Sequence, residues 1–195
     1  MSLVLWLVVL TYVSLALEII VYPVPSVVSA ARLAREPTQR RARGWEIGKG
    51  ILAGLAFFLP LVTAFWTPPV PLFQPVFEPL PSVALGIGVI LILAGRGLGL
   101  AAVFTMRRGM KPFAGQEPTT LLVNGCFQLS RNPILLGLYL TYAGLICLGP
   151  MPAHLLGFAY LVLHMHGKVR GEEANLRRVY GERYHAYCAR TRRYL

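Results

Sequence analysis

The chain has 195 residues, 55% of them hydrophobic and only 14% charged, with a mean hydropathy of +0.57. Soluble domains are about 25% charged, so this balance excludes an ordinary soluble domain and points to a membrane protein. The formal net charge of +11 fits that reading only if the basic residues are confined to loops and ends. Cys126, Cys147 and Cys188 are odd in number and widely spaced, which suits neither a disulfide framework nor a metal pair.

Residues 3–22 form the first apolar run, long enough to cross a hydrocarbon core about 30 Å thick. Its helical pattern extends toward residue 34, interrupted by Pro23 and Pro25. With no basic leader and no small-residue cleavage site, it reads as a retained span rather than a signal peptide. A basic loop follows, then a second span over residues 50–66. Residues 67–82 are proline-rich and carry one charge, Glu78, as an extended turn would. The third span, 83–104, is glycine-rich. A polar loop leads to the fourth span, 133–148. Gly149 to Pro152 is a tight turn that leaves room only for an antiparallel helix hairpin with the fifth span, 153–165. The remaining residues are basic, and their pattern is helical through about Tyr187.

All Lys and Arg except Arg96 fall in residues 32–49, 107–131 and 168–193. Five spans place these three segments on one side and the proline-rich loop and hairpin turn on the other. The positive-inside rule makes the basic side cytoplasmic, with the N-terminus outside and the C-terminus inside. Trp6 and Trp66 then sit near the outer interface and Trp45 near the inner one. The expected fold is an all-α integral membrane protein with five transmembrane helices and a C-terminal amphipathic cytoplasmic helix. It forms one membrane domain: three N-terminal spans in 1–104, and the hairpin with its flanking loop and tail in 105–195.

Two constellations share the cytoplasmic face. Ser130-Arg131-Asn132-Pro133 reads as a helix start, with Asn132 as a side-chain N-cap and Pro133 at the first helical position. An arginine at a helix start is suited to an anionic group; a capped span with a snorkelling arginine is the plainer reading. One hairpin later comes Glu172-Glu173, either a carboxylate pair for a cation or a solvated face balancing Arg177 and Arg178. Together they offer donors for a carboxylate and acceptors for an ammonium, as a zwitterionic amino-acid group requires. Beyond them Leu176, Tyr180, Tyr184 and Tyr187 form a helical stripe, which reads as an amphipathic helix at an anionic leaflet or as a lid over a pocket.

The run from Leu122 through Gly125, Phe127, Arg131, Asn132 and Pro133 to Gly137 resembles the signature of the isoprenylcysteine carboxyl methyltransferase family, approximately L-x-x-G-[PA]-[YF]-x-x-x-R-[HN]-P-x-Y-x-G. The tail from Glu172-Glu173 through Leu176, Tyr180, Gly181 and Tyr184 to Tyr187 resembles that family's second motif. The resemblance covers about residues 105–187. Cys126 replaces the usual small residue or proline, Asn132 the frequent histidine, and Leu135 the usual tyrosine. An Asn-Pro pair and a Glu-Glu pair also occur in phospholipid N-methyltransferases. The resemblance implies S-adenosylmethionine as methyl donor, with the bilayer and a lipophilic or lipidated acceptor as partners and no nucleic acid.

By that resemblance Arg131 and Glu173 are the catalytic candidates. Gly125, Phe127, Arg131, Asn132, Tyr139, Glu172 and Glu173 are the cofactor-binding ones, and Tyr184 is a further pocket-wall candidate. Carboxyl O-methylation leads, with amine N-methylation and thiol S-methylation as alternatives. An NADPH-dependent reductase of the sterol-reductase type is a separate alternative, as is a non-catalytic membrane protein. Glu173→Ala is expected to abolish binding of the demethylated donor without unfolding the chain. Within the spans, Glu18 and Arg96 are expected to pair, because intramembrane charges pair or face cavities. Gly95 and Gly97 beside Arg96 permit close helix packing, and their Gly-x-Gly weakly resembles a donor-binding element of phospholipid methyltransferases. His164 and His166, two apart, point to different sides of a helix and do not suggest a metal.

Overall fold

The computed structural model describes residues 3–21, 40–76, 81–109 and 121–195. Among these every regular element is helical. The helices are α1 (Leu3–Val21), α2 (Arg40–Phe65), α3 (Ser82–Gly109), α4 (Pro133–Leu148), α5 (Pro152–Tyr180) and α6 (Glu182–Arg190), with short 3-10 turns at Pro71–Phe73 and Gly125–Gln128. Two stretches, Ile47–Phe65 and Ser82–Met106, are long and apolar enough to cross a membrane; Leu3–Leu17 and Pro133–Leu148 are apolar but shorter. Ile51, Leu55, Phe58 and Val62 on α2, and Val83, Ile90 and Leu93 on α3, are exposed. So much bared apolar area suits lipid better than water.

α3 and α4 pack most intimately, because glycines let their backbones meet. A Cβ on Gly95 would lie 2.5 Å from the Gly137 carbonyl, and one on Gly144 would lie 2.6 Å from that of Gly88. Gly88 and Gly95, like Gly137 and Gly144, are seven residues apart, so each pair recurs on one helix face. Gly97 faces open space. Gly95 therefore serves helix packing.

α2 carries Pro60 in its interior. Proline has no N–H to offer the carbonyl four residues back, Ala56. The Tyr142 hydroxyl donates to that carbonyl at 2.7 Å, tying α4 to α2. One turn on, Thr63 meets the buried His154 of α5 at 2.8 Å, Oγ1 to Nε2, while His154 Nδ1 bonds the Gly149 carbonyl at 2.6 Å. The hairpin turn is thereby locked to α2. The Val76 N–H donates to Pro150 O at 2.8 Å, so the proline-rich segment and the hairpin turn lie at the same end.

Two expectations change. No break separates the fifth apolar run from the tail: α5 is one helix of 29 residues, about 44 Å long at 1.5 Å per residue. It carries Glu173 straight out of the apolar bundle. The helical pattern through Tyr187 is interrupted at Gly181, whose φ of +51° is accessible to glycine at little cost. α6 is a separate helix. Arg96 donates from Nε to Ser14 Oγ at 3.1 Å and from Nη2 to Ser14 O at 3.4 Å. Ser14 lies one turn before Glu18, whose side chain is outside the described residues, as are the side chain of Trp45 and residues 22–39.

Candidate active site

The site begins where the chain leaves α3 and re-enters the bundle as α4. Gly125 opens a 3-10 turn with φ +63°, and a Cβ there would stand 3.2 Å from Thr105 Oγ1. The turn delivers Ser130, fully buried, to the start of α4. Ser130 Oγ accepts the Asn132 N–H at 3.1 Å. Asn132 holds the N-cap position and Pro133 follows at the first helical position, but the Asn132 side chain makes no capping bond. Its amide donates instead to the Arg193 carbonyl at 3.4 Å. The expected side-chain cap is thus not made: the Ser130 hydroxyl takes the N–H of the N-cap residue itself, and the asparagine amide is turned toward residues 191–195.

Arg131 is the hub. Its Nη2 donates to Glu173 Oε1 at 2.9 Å, and its Nη1 to the carbonyls of Thr191 and Cys188 at 3.1 and 3.4 Å. Its backbone N–H donates to Arg192 O at 2.9 Å. Its Nε is buried with no hydrogen-bond partner. Glu173 is only 3% exposed, and a second arginine grips it as a fork. Arg193 Nε bonds Oε1 at 2.9 Å and Nη2 bonds Oε2 at 2.7 Å. Arg177 stands 3.8 Å from Oε2. The Arg193 hydrogen bonds hold the Glu173 carboxyl below the usual carboxylate range, aided by Arg131 and opposed by burial. One carboxylate thus faces three guanidinium groups.

Sequence reasoning named both Arg131 and Glu173, and the structure brings them together across the hairpin. Gly125 and Asn132 lie in the same chain segment, and Phe127 contributes its carbonyl, which accepts the Tyr187 hydroxyl at 2.7 Å. Burial pushes the Tyr187 hydroxyl up to about 12, so near neutral pH it is a neutral donor. Tyr139 approaches from α4: its ring lies 5.8 Å from that of Tyr194, whose hydroxyl meets His166 Nδ1 at 3.2 Å. Glu172 is not in the cluster. It is exposed on the neighbouring face of α5, with Lys168 as its electrostatic partner. Tyr184 is fully buried beneath the cluster, where burial and then the Glu173 charge push its hydroxyl up. The wall position expected of Tyr184 falls to Tyr187. Tyr187 and Thr191 border an open cavity of about 730 Å³ between residues 121–128 and α6, which Asn124, Gln128, Arg183 and Arg190 also line.

Arg193 and Tyr194 are the residues sequence reasoning missed. The one available signal was electrostatic: a tail with eight basic residues is a ready source of further partners for a carboxylate that has to be buried. No protein-family model, curated protein or solved structure matches the chain.

Proposed function

We propose that the chain is a five-span membrane methyltransferase, with the Arg131–Glu173 end cytoplasmic, that transfers a methyl group from S-adenosylmethionine to a lipophilic acceptor. The observation that carries this reading is the meeting of its two motifs. Arg131 and Glu173, 42 residues apart in sequence, touch at 2.9 Å. Several further features support it. The Ser130 hydroxyl, the Arg131 N–H and the Asn132 amide all aim at carbonyl oxygens, a donor set suited to a carboxylate. Glu173 takes a cation. The residues therefore fit the amino-acid end of the donor, and the adjoining cavity lies within the size range of small-molecule sites.

When bound, the donor supplies a methyl group on a positively charged sulfur. The chain's own work is to hold it in line with the acceptor and to exclude water. Arg131 and Asn132 would bind the carboxylate, and Glu173 the ammonium. A carboxylate acceptor is already ionised near neutral pH and needs no base. An amine must first lose a proton, and Glu173, paired with Arg131 and committed to the donor's ammonium, is not free to take it. That favours isoprenylcysteine-type carboxyl O-methylation over amine N-methylation. The five-span topology draws support from Val76 meeting Pro150, and from Val4, Ala64 and Pro150 bordering one cavity at the end opposite Arg131. The exposed Trp6 and Trp66 suit an interfacial belt there.

The surplus of guanidinium groups would also attract a 2′-phosphate, so NADPH is the competing ligand. In detergent, S-adenosylhomocysteine is expected to raise the melting temperature in a concentration-dependent way, since binding only the native state stabilises it. Stabilisation by NADPH and not by S-adenosylhomocysteine would reverse the assignment.

A further inference from the structure

We propose that residues 191–195 are an intramolecular competitor for the donor's amino-acid group, holding the site closed until ligand displaces them. This rests on the methyltransferase reading. The segment presents the charges that such a group would present. The carbonyls of Arg192 and Arg193 occupy the donors at the start of α4: the Arg131 N–H at 2.9 Å, the Ser130 hydroxyl at 3.0 Å and the Asn132 amide at 3.4 Å. The Arg193 guanidinium occupies Glu173, as an ammonium would, through two bonds of 2.9 and 2.7 Å. Carbonyl oxygens stand in for the carboxylate, and a guanidinium stands in for the cation. Three donors at the start of α4 and both Glu173 oxygens are thus engaged by one short strip of chain.

The strip is also partly open to water. Arg193 is 29% exposed in its side chain, against 11% for Arg131 and 4% for Glu173. The buried Arg131–Glu173 pair can stay intact while Arg193 swings into water. Few apolar contacts hold the segment down. Thr191 is buried, but Arg192 is exposed, Leu195 is 66% exposed, and Tyr194 is half-buried against Tyr139 and His166. Segments with few buried apolar contacts open at the lowest free energy. Departure frees Glu173 Oε2, three donors at the start of α4, and the wall that Thr191 gives the cavity. The segment's hold lowers apparent donor affinity by the fraction of molecules that are open.

The test uses the full chain in detergent, with S-adenosylhomocysteine as the probe. Arg193→Gln is expected to bind it at least about fivefold more tightly than the parent. Arg192→Gln, which removes the same charge from the exposed neighbour, is expected to stay within about twofold. Should Arg193→Gln melt too low to measure, Arg193→Lys keeps the charge, loses the fork and is expected to show a smaller gain in the same direction. In the unmodified protein the probe is expected to speed hydrogen exchange at the Thr191 amide, which donates to the Tyr187 carbonyl at 3.0 Å. Unchanged or weaker binding by the Arg193 variants, or unchanged or slower exchange at that amide, would show the segment to be a permanent wall and overturn the proposal. Absence of probe binding in every protein defeats the donor assignment itself, and the competitor with it.

Discussion

Removing the Glu173 carboxylate leaves Arg131 and Arg193 facing each other with nothing between them. Breaking a buried ion pair from one side costs about 3–5 kcal/mol. The partial exposure of Arg193 and Arg177 argues for the low end, about 3 kcal/mol. Glu173→Ala is therefore expected to lower the melting temperature markedly. Lost ligand binding in that variant cannot be separated from lost stability, and Arg193 is the cleaner place to probe. The same carboxylate sets an acid limit. Its folded pKa lies below its unfolded value, so its stabilisation is full above the unfolded value, about 4.3. It is lost as pH falls through the lower folded value. A melting series from pH 7 to pH 3 is expected to fall more steeply for the parent than for Glu173→Gln. Arg131 and Glu173 were legible through the resemblance of two motifs in order, joined by one hairpin; taken singly, each read as well as a snorkelling arginine or a solvated acid. Arg193 was not, because an arginine in a basic tail looks solvated until the backbone turns it inward. Asn132 was half legible: its position as N-cap was right, but its side-chain amide donates to the Arg193 carbonyl and its oxygen caps nothing.

Helix packing carries a sharper expectation. Gly95→Ala places a Cβ 2.5 Å from the Gly137 carbonyl, and backbone cannot rotate away as a side chain can. The gain in helix propensity, about 1 kcal/mol, is outweighed by overpacking of about 1–3 kcal/mol. Gly97→Ala, two residues on, meets nothing within 4 Å and is expected to be neutral or slightly stabilising. Thermal melts of the two variants in one detergent separate a packing seam from mere glycine content. Most of this level was readable. α4 begins and ends where the apolar run does, and the glycines of α3 announced a close neighbour. The unreadable part was continuity. Composition changes sharply after Met165, yet nothing in the backbone stops α5 there. Tyrosine spacing runs smoothly across Gly181, yet a glycine at positive φ ends the helix.

At the scale of the molecule, the described residues divide into two chemically distinct ends. The hairpin turn, the proline-rich segment and Trp66 gather at one, and the arginine-rich cluster at the other. Charge distribution along the chain announced this separation, because a bilayer permits basic residues only at its edges. It could not announce which side chains meet within an end, since that depends on α5 running unbroken to Tyr180. With the three native cysteines replaced by serine, Thr67→Cys is expected to react with a membrane-impermeant maleimide from outside intact cells. Arg183→Cys is expected to react only in inverted vesicles. Labelling of both from one side would refute the odd number of spans.

The strip at 191–195 also has a consequence in time. Synthesis runs from the first residue onward, so Arg131 and Glu173 are laid down before Arg193 exists. Between those moments the acid lacks one of its three guanidinium partners. A chain that stops between Glu173 and residue 193 would thus keep both halves of the Arg131–Glu173 pair yet leave the polar end of the bundle unsealed.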